Sequence, residues 1–292
     1  MGELADEAAA LRCRECGERY ENCVGRPMLI ARGARAPLES FLASEDGRRM
    51  QAEYLDARTE IGSPPPAGWL RFLRPPAIMH KYDADVRNGP AAALFEPRGG
   101  AEPLVLNVGG GPTRVTSGEV TLNIGPFANV DLVADGQRIP VADDTFDSVL
   151  SLAVLEHVPD PYRVVAEMIR VLKPGGLLYS EVPFIFFFHG YPTDYHRFTR
   201  EGMKRLFAGL PGARFGLTHG PVSAVLQSGN MVAQMLVPAR FRMLRKIVNG
   251  GYRLVFFPFK YLDLMLRDHP EAHVAAGGFY VIGRKPGVDD AR

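Results

Sequence analysis

Cysteine is nearly missing from this 292-residue chain: Cys13, Cys16 and Cys23 are the only three, and none follows them. A disulfide framework is therefore excluded for the bulk of the chain, and a reducing, cytoplasmic setting is expected. An excess of either charge is missing too. The 34 basic and 33 acidic residues leave a formal charge of +1, so no global field draws the chain to nucleic acid. No apolar run reads as a membrane span. An uncharged stretch, residues 220–239, is interrupted by Gln227, Ser228, Asn230 and Gln234. The first twelve residues are acidic and alanine-rich without an apolar h-region, so no signal peptide is expected.

What is present is a series of short, continuous apolar segments between residues 104 and 183. Leu104–Val108 runs into Gly109, Gly110 and Gly111. Val120–Ile124, residues 130–136 and Phe146–Ser151 follow, then an amphipathic helix at about 161–172 and a last segment, Leu177–Val182. Uniformly apolar strands suit a parallel sheet covered on both faces. A ligand of such a sheet sits at the carboxyl ends of the strands, where Asn107, Asn123, Asp135 and Ser151 fall. Asp160 is a good helix N-cap and Pro161 a good first helical residue. Tyr162, Val165, Met168, Ile169 and Leu172 give the apolar face, and Lys173-Pro174-Gly175-Gly176 ends the helix.

The glycine turn lacks the third glycine of the dinucleotide fingerprint, because Pro112 and Thr113 follow it. Only about seven residues separate Gly111 from the next strand, too few for the usual anion-binding helix. That suits a ligand with an adenosine but no phosphate. At the end of the second strand Asn123 faces the ribose position, with its carbonyl to accept and its amide to donate. At the end of the third, Asp135 is a sensible partner for an adenine amino group.

The series Asp143-x-x-Phe146-Asp147, Leu155-Glu156-His157-Val158 and Arg170-Val171-Leu172-Lys173-Pro174-Gly175-Gly176 resembles a class I S-adenosylmethionine-dependent methyltransferase of the ubiquinone/menaquinone type. The resemblance covers about 104–200. It implies a Rossmann-like α/β fold, with a mostly parallel seven-stranded sheet and helices on both faces. It also implies S-adenosylmethionine over Gly109, Gly110, Gly111, Asn123 and Asp135, with Asn107, Ile124, Gly136 and Ser151 completing the cofactor contacts. Asn107 and Asn123 stand where the family usually has acids.

The segment from Pro183 to Thr199 contains His189-Gly190-x-Pro192-x-Asp194-Tyr195-x-Arg197-Phe198-Thr199. It resembles an insert found in a subgroup of these enzymes, many of them linked to glycan or secondary-metabolite pathways. Methylation of an oxygen needs a base near the hydroxyl, and histidine titrates in the useful range. His189 and His196 are the candidates, with Asp194 orienting one of them, and His157 opens towards the same rim. The bland alternative is that Asp194, Arg197 and Thr199 only lock the insert.

At the other end, Cys13-x-x-Cys16-Gly17 with Cys23 as a third thiol reads as a zinc knuckle lacking its fourth ligand. With Tyr20, Gly25, Pro27 and Leu29 it resembles the second half of a small zinc-ribbon activator of RNA and protein methyltransferases. The alternative is a β-hairpin that keeps the ribbon's shape without metal. Residues 1–36 are thus expected as a ribbon-like β segment, 37–100 as a helical connector or lid around Trp69, and 101–286 as the methyltransferase domain. Within it, 221–268 is expected as a helical cap. Its mixture of aromatics and leucines with Arg240, Arg242, Arg245, Lys246, Arg253, Lys260 and Arg267 also suits peripheral contact with a membrane surface. Three functions follow: methyl transfer to a small polar acceptor, most readily at oxygen; a catalytically inactive scaffold of the same fold; or an RNA or protein methyltransferase.

Overall fold

The computed structural model describes residues 4–7, 10–13, 19–23, 26–27, 29, 75–82, 86, 88–111, 114–116, 118–125, 129–189 and 193–287. The three cysteine side chains and the first part of the expected helical connector, residues 37–74 with Trp69, lie outside the described residues. The amino-terminal segment is a four-stranded antiparallel meander of β1 (Leu4–Glu7), β2 (Ala10–Cys13), β3 (Arg19–Cys23) and β4 (Arg26–Pro27). Just beyond it, the Leu29 amide donates to the Val133 carbonyl at 2.7 Å, and the Leu29 side chain packs against the main core.

The main sheet has seven strands: β5 (Val105–Val108), β6 (Glu119–Asn123), β7 (Leu132–Val133), β8 (Phe146–Leu152), β9 (Leu172–Pro183), β10 (Arg214–His219) and β11 (Gly278–Arg284). Their order is β10-β11-β9-β8-β5-β6-β7. The five strands from β9 to β7 pair in parallel, while β11 is antiparallel to both β9 and β10. The chain winds outward from β5 in one direction through β6 and β7, then returns to β5's other side for β8 and β9. The carboxyl ends of β5 and β8 therefore flank the switch point at which doubly wound sheets bind ligands.

The helix α1 (Pro161–Val171) starts at the expected residues: the Asp160 carboxylate accepts from the Arg163 amide at 3.1 Å, and Pro161 needs no donor partner. Val164, Val165, Met168 and Val171 are buried on its inner face. At roughly 1.5–3 kcal/mol for each fully buried apolar side chain, that face holds the helix on the sheet. Its far end is closed by Lys285, whose ammonium donates to the Leu172 carbonyl at 2.7 Å and to the Arg170 carbonyl at 3.2 Å. The residues from Lys173 to Gly176 belong to β9 itself, with Gly175 at φ +75°. Thr199 caps α2 (Arg200–Leu206) through the Gly202 amide.

The carboxy-terminal helices are α3 (Pro221–Met235), α4 (Arg242–Phe256) and α5 (Asp263–Leu266). Asp263 is fully buried, and its carboxylate accepts from the Val222 and Ser223 amides at 2.8 and 2.9 Å, capping the start of α3. In α4 no residue is buried: it lies against α3, and Met243, Ile247, Leu254 and Val255 stay exposed. The described part of the connector differs from the helical expectation. Residues 75–82 run as an irregular strap held by Arg253 on the Pro75 and Pro76 carbonyls, Lys260 on the Ala77 carbonyl and the Tyr82 hydroxyl on the Asp263 carbonyl. Between Asn88 and Gly100 the regular structure is one short 3-10 turn, Ala92–Leu94.

Candidate active site

Two groups of side chains gather at the carboxyl ends of the parallel strands. The first surrounds the glycine turn after β5. Gly109 has φ +74°, and a Cβ there would lie 2.3 Å from a Val154 methyl. A Cβ on Gly110 would lie 2.4 Å from the Thr121 methyl. Both positions thus require glycine for a physical reason: one needs the left-handed backbone and both need the space. Among the described residues no helix occupies the crossover from Gly111 to β6. A buried carboxylate organises it instead. Glu119 Oε2 accepts from the Val115 and Thr116 amides at 3.1 and 3.3 Å, and Oε1 from the Asn107 amide nitrogen at 3.2 Å.

Asn123, at the end of β6, donates from Nδ2 to the Gly110 carbonyl at 3.0 Å and accepts at Oδ1 from the Gly125 amide at 3.0 Å. Its carboxamide is a strut between turn and strand, with one N–H and one lone pair left over. Asp135 accepts from the Gln137 backbone amide at Oδ1 and from the Gln137 side chain at both oxygens. Gly136 follows it, a Cβ there lying 3.5 Å from Val108 and 3.6 Å from Val164. Ile124 continues from β6 in a bend. Ser151 lies on β8 opposite Ser180 of β9, fully buried, and neither hydroxyl has a hydrogen-bond partner.

The second group follows β8 and β9. The chain leaves β8 through Ala153, a non-glycine residue at φ +53°, and enters a single 3-10 turn, Leu155–His157. Backbone strain of this kind, costing roughly 1–3 kcal/mol, persists where the surroundings fix it. Here the Ala153 amide donates to the Glu181 carbonyl at 3.0 Å. The turn delivers Glu156 inward with no exposed surface, and His157 beside it. The segment after β9 brings in His189. The two imidazoles meet edge to face with centroids 4.9 Å apart. His157 Nε2 lies 3.7 Å and His189 Nε2 3.4 Å from Glu156 Oε1. Neither contact has hydrogen-bond geometry, and both Glu156 oxygens lack a hydrogen-bond partner. The Glu156 carboxylate holds the His189 imidazole above its ordinary pKa against the opposing effect of burial, and the Phe187 carbonyl and Asp194 add to it.

Asp194 serves His189 and not His196. Its Oδ2 accepts from the His189 amide at 2.9 Å and lies 3.4 Å from His189 Nδ1. Burial raises the Asp194 pKa, but the forked grip of Arg197 outweighs it and keeps this carboxyl below the usual range. Arg197 also donates to the carbonyls of Phe186, Phe187 and His196, so the insert is locked as well as functionalised. His196 stands apart, with Nε2 3.4 Å from the Pro159 carbonyl and its ring against Phe198.

Sequence reasoning gave no role to Glu156 or Glu119. The first sat inside the Leu-Glu-His-Val motif as an ordinary acid, and only its burial beside two histidines marks it. The second reads as a solvated residue before a strand.

A doubly wound sheet of this order, with a glycine turn and, among the described residues, no helix after it, has a Rossmann-like fold of the class I methyltransferase type. Comparison with known proteins narrows this further. Residues 118–180 match the model of the "Methyltransferase domain" family. An uncharacterized methyltransferase of Mycobacterium sp. (strain JLS) is 39% identical over 99 residues, 32% of this chain and 35% of that relative. Another, from Mycobacterium leprae (strain Br4923), is 49% identical over 53 residues, 18% of this chain and 20% of the relative. The matches span about a third or less of the length of these relatives. A solved phosphoethanolamine N-methyltransferase 2 of Haemonchus contortus, in complex with S-adenosyl-L-methionine, covers 86% of this chain and 60% of its own. Its identity is 16% and its TM-score 0.44, too remote a likeness to bear on substrate. The sheet β5–β11 has the Rossmann-like fold of class I methyltransferases, and the family match falls on β6 to β9 within it.

Proposed function

We propose that the chain transfers the methyl group of S-adenosylmethionine to a small polar acceptor, at a hydroxyl oxygen, with the acceptor seated against Glu156, His157 and His189. The observation that carries the reading is this titratable cluster, set at the carboxyl ends of β8 and β9 beside the switch point that the glycine turn occupies. The adenosyl group is held by the backbone of Gly109, Gly110 and Gly111. The ribose takes the remaining N–H and lone pair of Asn123. The adenine amino group donates to Asp135, while Asn107, Ile124, Gly136 and Ser151 complete the walls.

Methyl transfer is an in-line displacement. The acceptor oxygen forms a bond to the methyl carbon, the carbon–sulfur electron pair passes to sulfur, and S-adenosylhomocysteine leaves. The protein aligns oxygen and methyl and disposes of the hydroxyl proton, which passes to the histidine cluster. Asp194 positions His189. Hydroxyl acceptors of glycan or secondary-metabolite type suit a rim that offers two imidazoles.

Calorimetric titration of the full chain with S-adenosylhomocysteine tests the cofactor half. Binding that weakens when Asp135 is replaced by alanine is expected, and no heat at millimolar ligand would remove the proposal. Radiolabelled methyl transfer to a panel of sugar and phenol hydroxyls against amines tests the acceptor half. Transfer to amines alone would replace oxygen by nitrogen in this reading.

A further inference from the structure

We propose that Glu156, His157 and His189 bind one divalent transition-metal ion, of the zinc, cobalt or nickel kind, at the acceptor end of the domain. The ligand set is built by topology. Glu156 and His157 come from the turn after β8 and His189 from the segment after β9, two strands that pair side by side. The three ligand atoms lie within 4.8 Å of one another.

Both histidines are oriented for ligation. His157 Nδ1 lies 2.7 Å from the Thr193 carbonyl. His189 Nδ1 lies 3.3 Å from the Phe187 carbonyl and 3.4 Å from Asp194 Oδ2. A carbonyl can only accept, so each Nδ1 carries a proton and each Nε2 faces Glu156, where a metal would take the place of any proton on that nitrogen. Metal-bound histidines are fixed in this way, by a backbone carbonyl or a carboxylate behind the ring.

Glu156 supplies the independent observation. Its carboxylate is wholly buried, and neither oxygen has a hydrogen-bond partner. A buried carboxylate with no compensation costs several kcal/mol. A protonated His189 at 3.4 Å offsets it as an ion pair, but without hydrogen-bond geometry. A cation placed between the three atoms compensates it directly. The spacing agrees with this: two ligands about 2.0–2.1 Å from a tetrahedral ion stand roughly 3.3–3.5 Å apart, against the observed 3.4 and 3.7 Å. Two imidazoles and one carboxylate suit zinc and its neighbours better than magnesium or calcium. The His189 side chain is 26% exposed, so the remaining coordination positions open outward, as in sites that take a substrate oxygen.

The metal site stands on geometry alone. Its role rests on the methyl-transfer reading and changes one step of it: with both Nε2 atoms on the metal the histidines no longer take up the proton, and an acceptor hydroxyl that replaces metal-bound water loses its proton to solvent more readily before its oxygen attacks the methyl carbon.

The test uses the full chain with Cys13, Cys16 and Cys23 replaced by serine, so that thiolates contribute no metal. After chelation, the protein is dialysed against micromolar zinc or cobalt chloride without cofactor, and its metal content is read by plasma mass spectrometry. About one equivalent is expected, lost by roughly a hundredfold or more in affinity in the His157→Ala/His189→Ala double variant and in the isosteric Glu156→Gln variant. The cobalt form should show ligand-field bands of nitrogen and oxygen ligation. Metal content that these variants leave unchanged, or none retained at micromolar zinc and cobalt, overturns the site. S-adenosylhomocysteine titration of the same metal-free samples separates the outcomes. Retained binding with no metal refutes the site alone, metal with no nucleoside binding refutes the methyltransferase reading alone, and circular dichroism of each variant checks its fold.

Discussion

The two halves of the sheet's carboxyl edge are finished to different degrees. Around β5, β6 and β7 the buried polar groups answer one another. Glu119 takes two backbone amides and Asn107, Asn123 bridges Gly110 and Gly125, and Asp135 takes Gln137. Around β8 and β9 several do not. Of the five buried side-chain polar atoms without a hydrogen-bond partner among the described residues, four belong to Ser151, Glu156 and Ser180. Natural folds leave few such atoms, so their concentration needs a reason. The first half resembles a rigid mould whose shape is set in advance. The second keeps its polarity in reserve for chemistry.

Substitutions should separate the halves. The largest effect is expected at His189→Gln and Glu156→Gln. Turnover should fall roughly 10²–10⁴-fold while S-adenosylhomocysteine affinity changes only a few-fold. Equal losses in turnover and nucleoside affinity would erase the distinction. Next comes Glu119→Ala, which strips the partner from two backbone amides and from Asn107. Denaturant unfolding should show a loss of about 2–4 kcal/mol, and nucleoside binding should weaken with it. An unchanged midpoint would mean that the crossover is not held from within.

The comparison also depends on keeping pH effects on stability apart from pH effects on chemistry. His219, on β10 away from both groups, has its pKa pushed down to about 4, chiefly by burial and then by Lys81 and His80. In the unfolded chain it titrates near 6.5, so between these values the unfolded state binds more protons. Stability is therefore full above about pH 6.5 and should fall by roughly 3 kcal/mol as the pH drops to 4, a slope that His219→Asn should flatten. The smallest effect is expected outside both halves. Asp263→Ala removes the cap of α3 and should cost about 1–2 kcal/mol with turnover per folded molecule unchanged. A change in S-adenosylhomocysteine affinity there would tie the carboxy-terminal helices to the cofactor.

The parts of this contrast were unequally legible in the sequence. The mould was readable because it is local: continuous apolar strands, Asp160 and Pro161 at a helix start, and a glycine turn without its third glycine. Each is a signal within a few residues. Glu119 escaped because nothing before a strand distinguishes a buried acid from a solvated one. In the second half His157, His189, Asp194 and His196 all stood out by residue type, but their grouping depends on β8 and β9 being neighbours. That adjacency selects His189 over His196 as the partner of both Asp194 and His157. In the carboxy-terminal segment the exposure of the apolar residues of α4 is what the sequence does not reveal. A hydrophobic period reports that a face exists, not what covers it.

The backbone bond from Leu29 to Val133 bears on how the protein behaves at high concentration. It falls on β7, the outermost parallel strand and only two residues long. An open strand edge invites pairing with another chain, and covering it is one way folds avoid aggregation. The amino-terminal segment thus acts as a guard rail for the sheet. A fragment cut to the Rossmann-like core should keep the strand order and the glycine turn yet self-associate on concentration, with no side chain of the candidate active site altered.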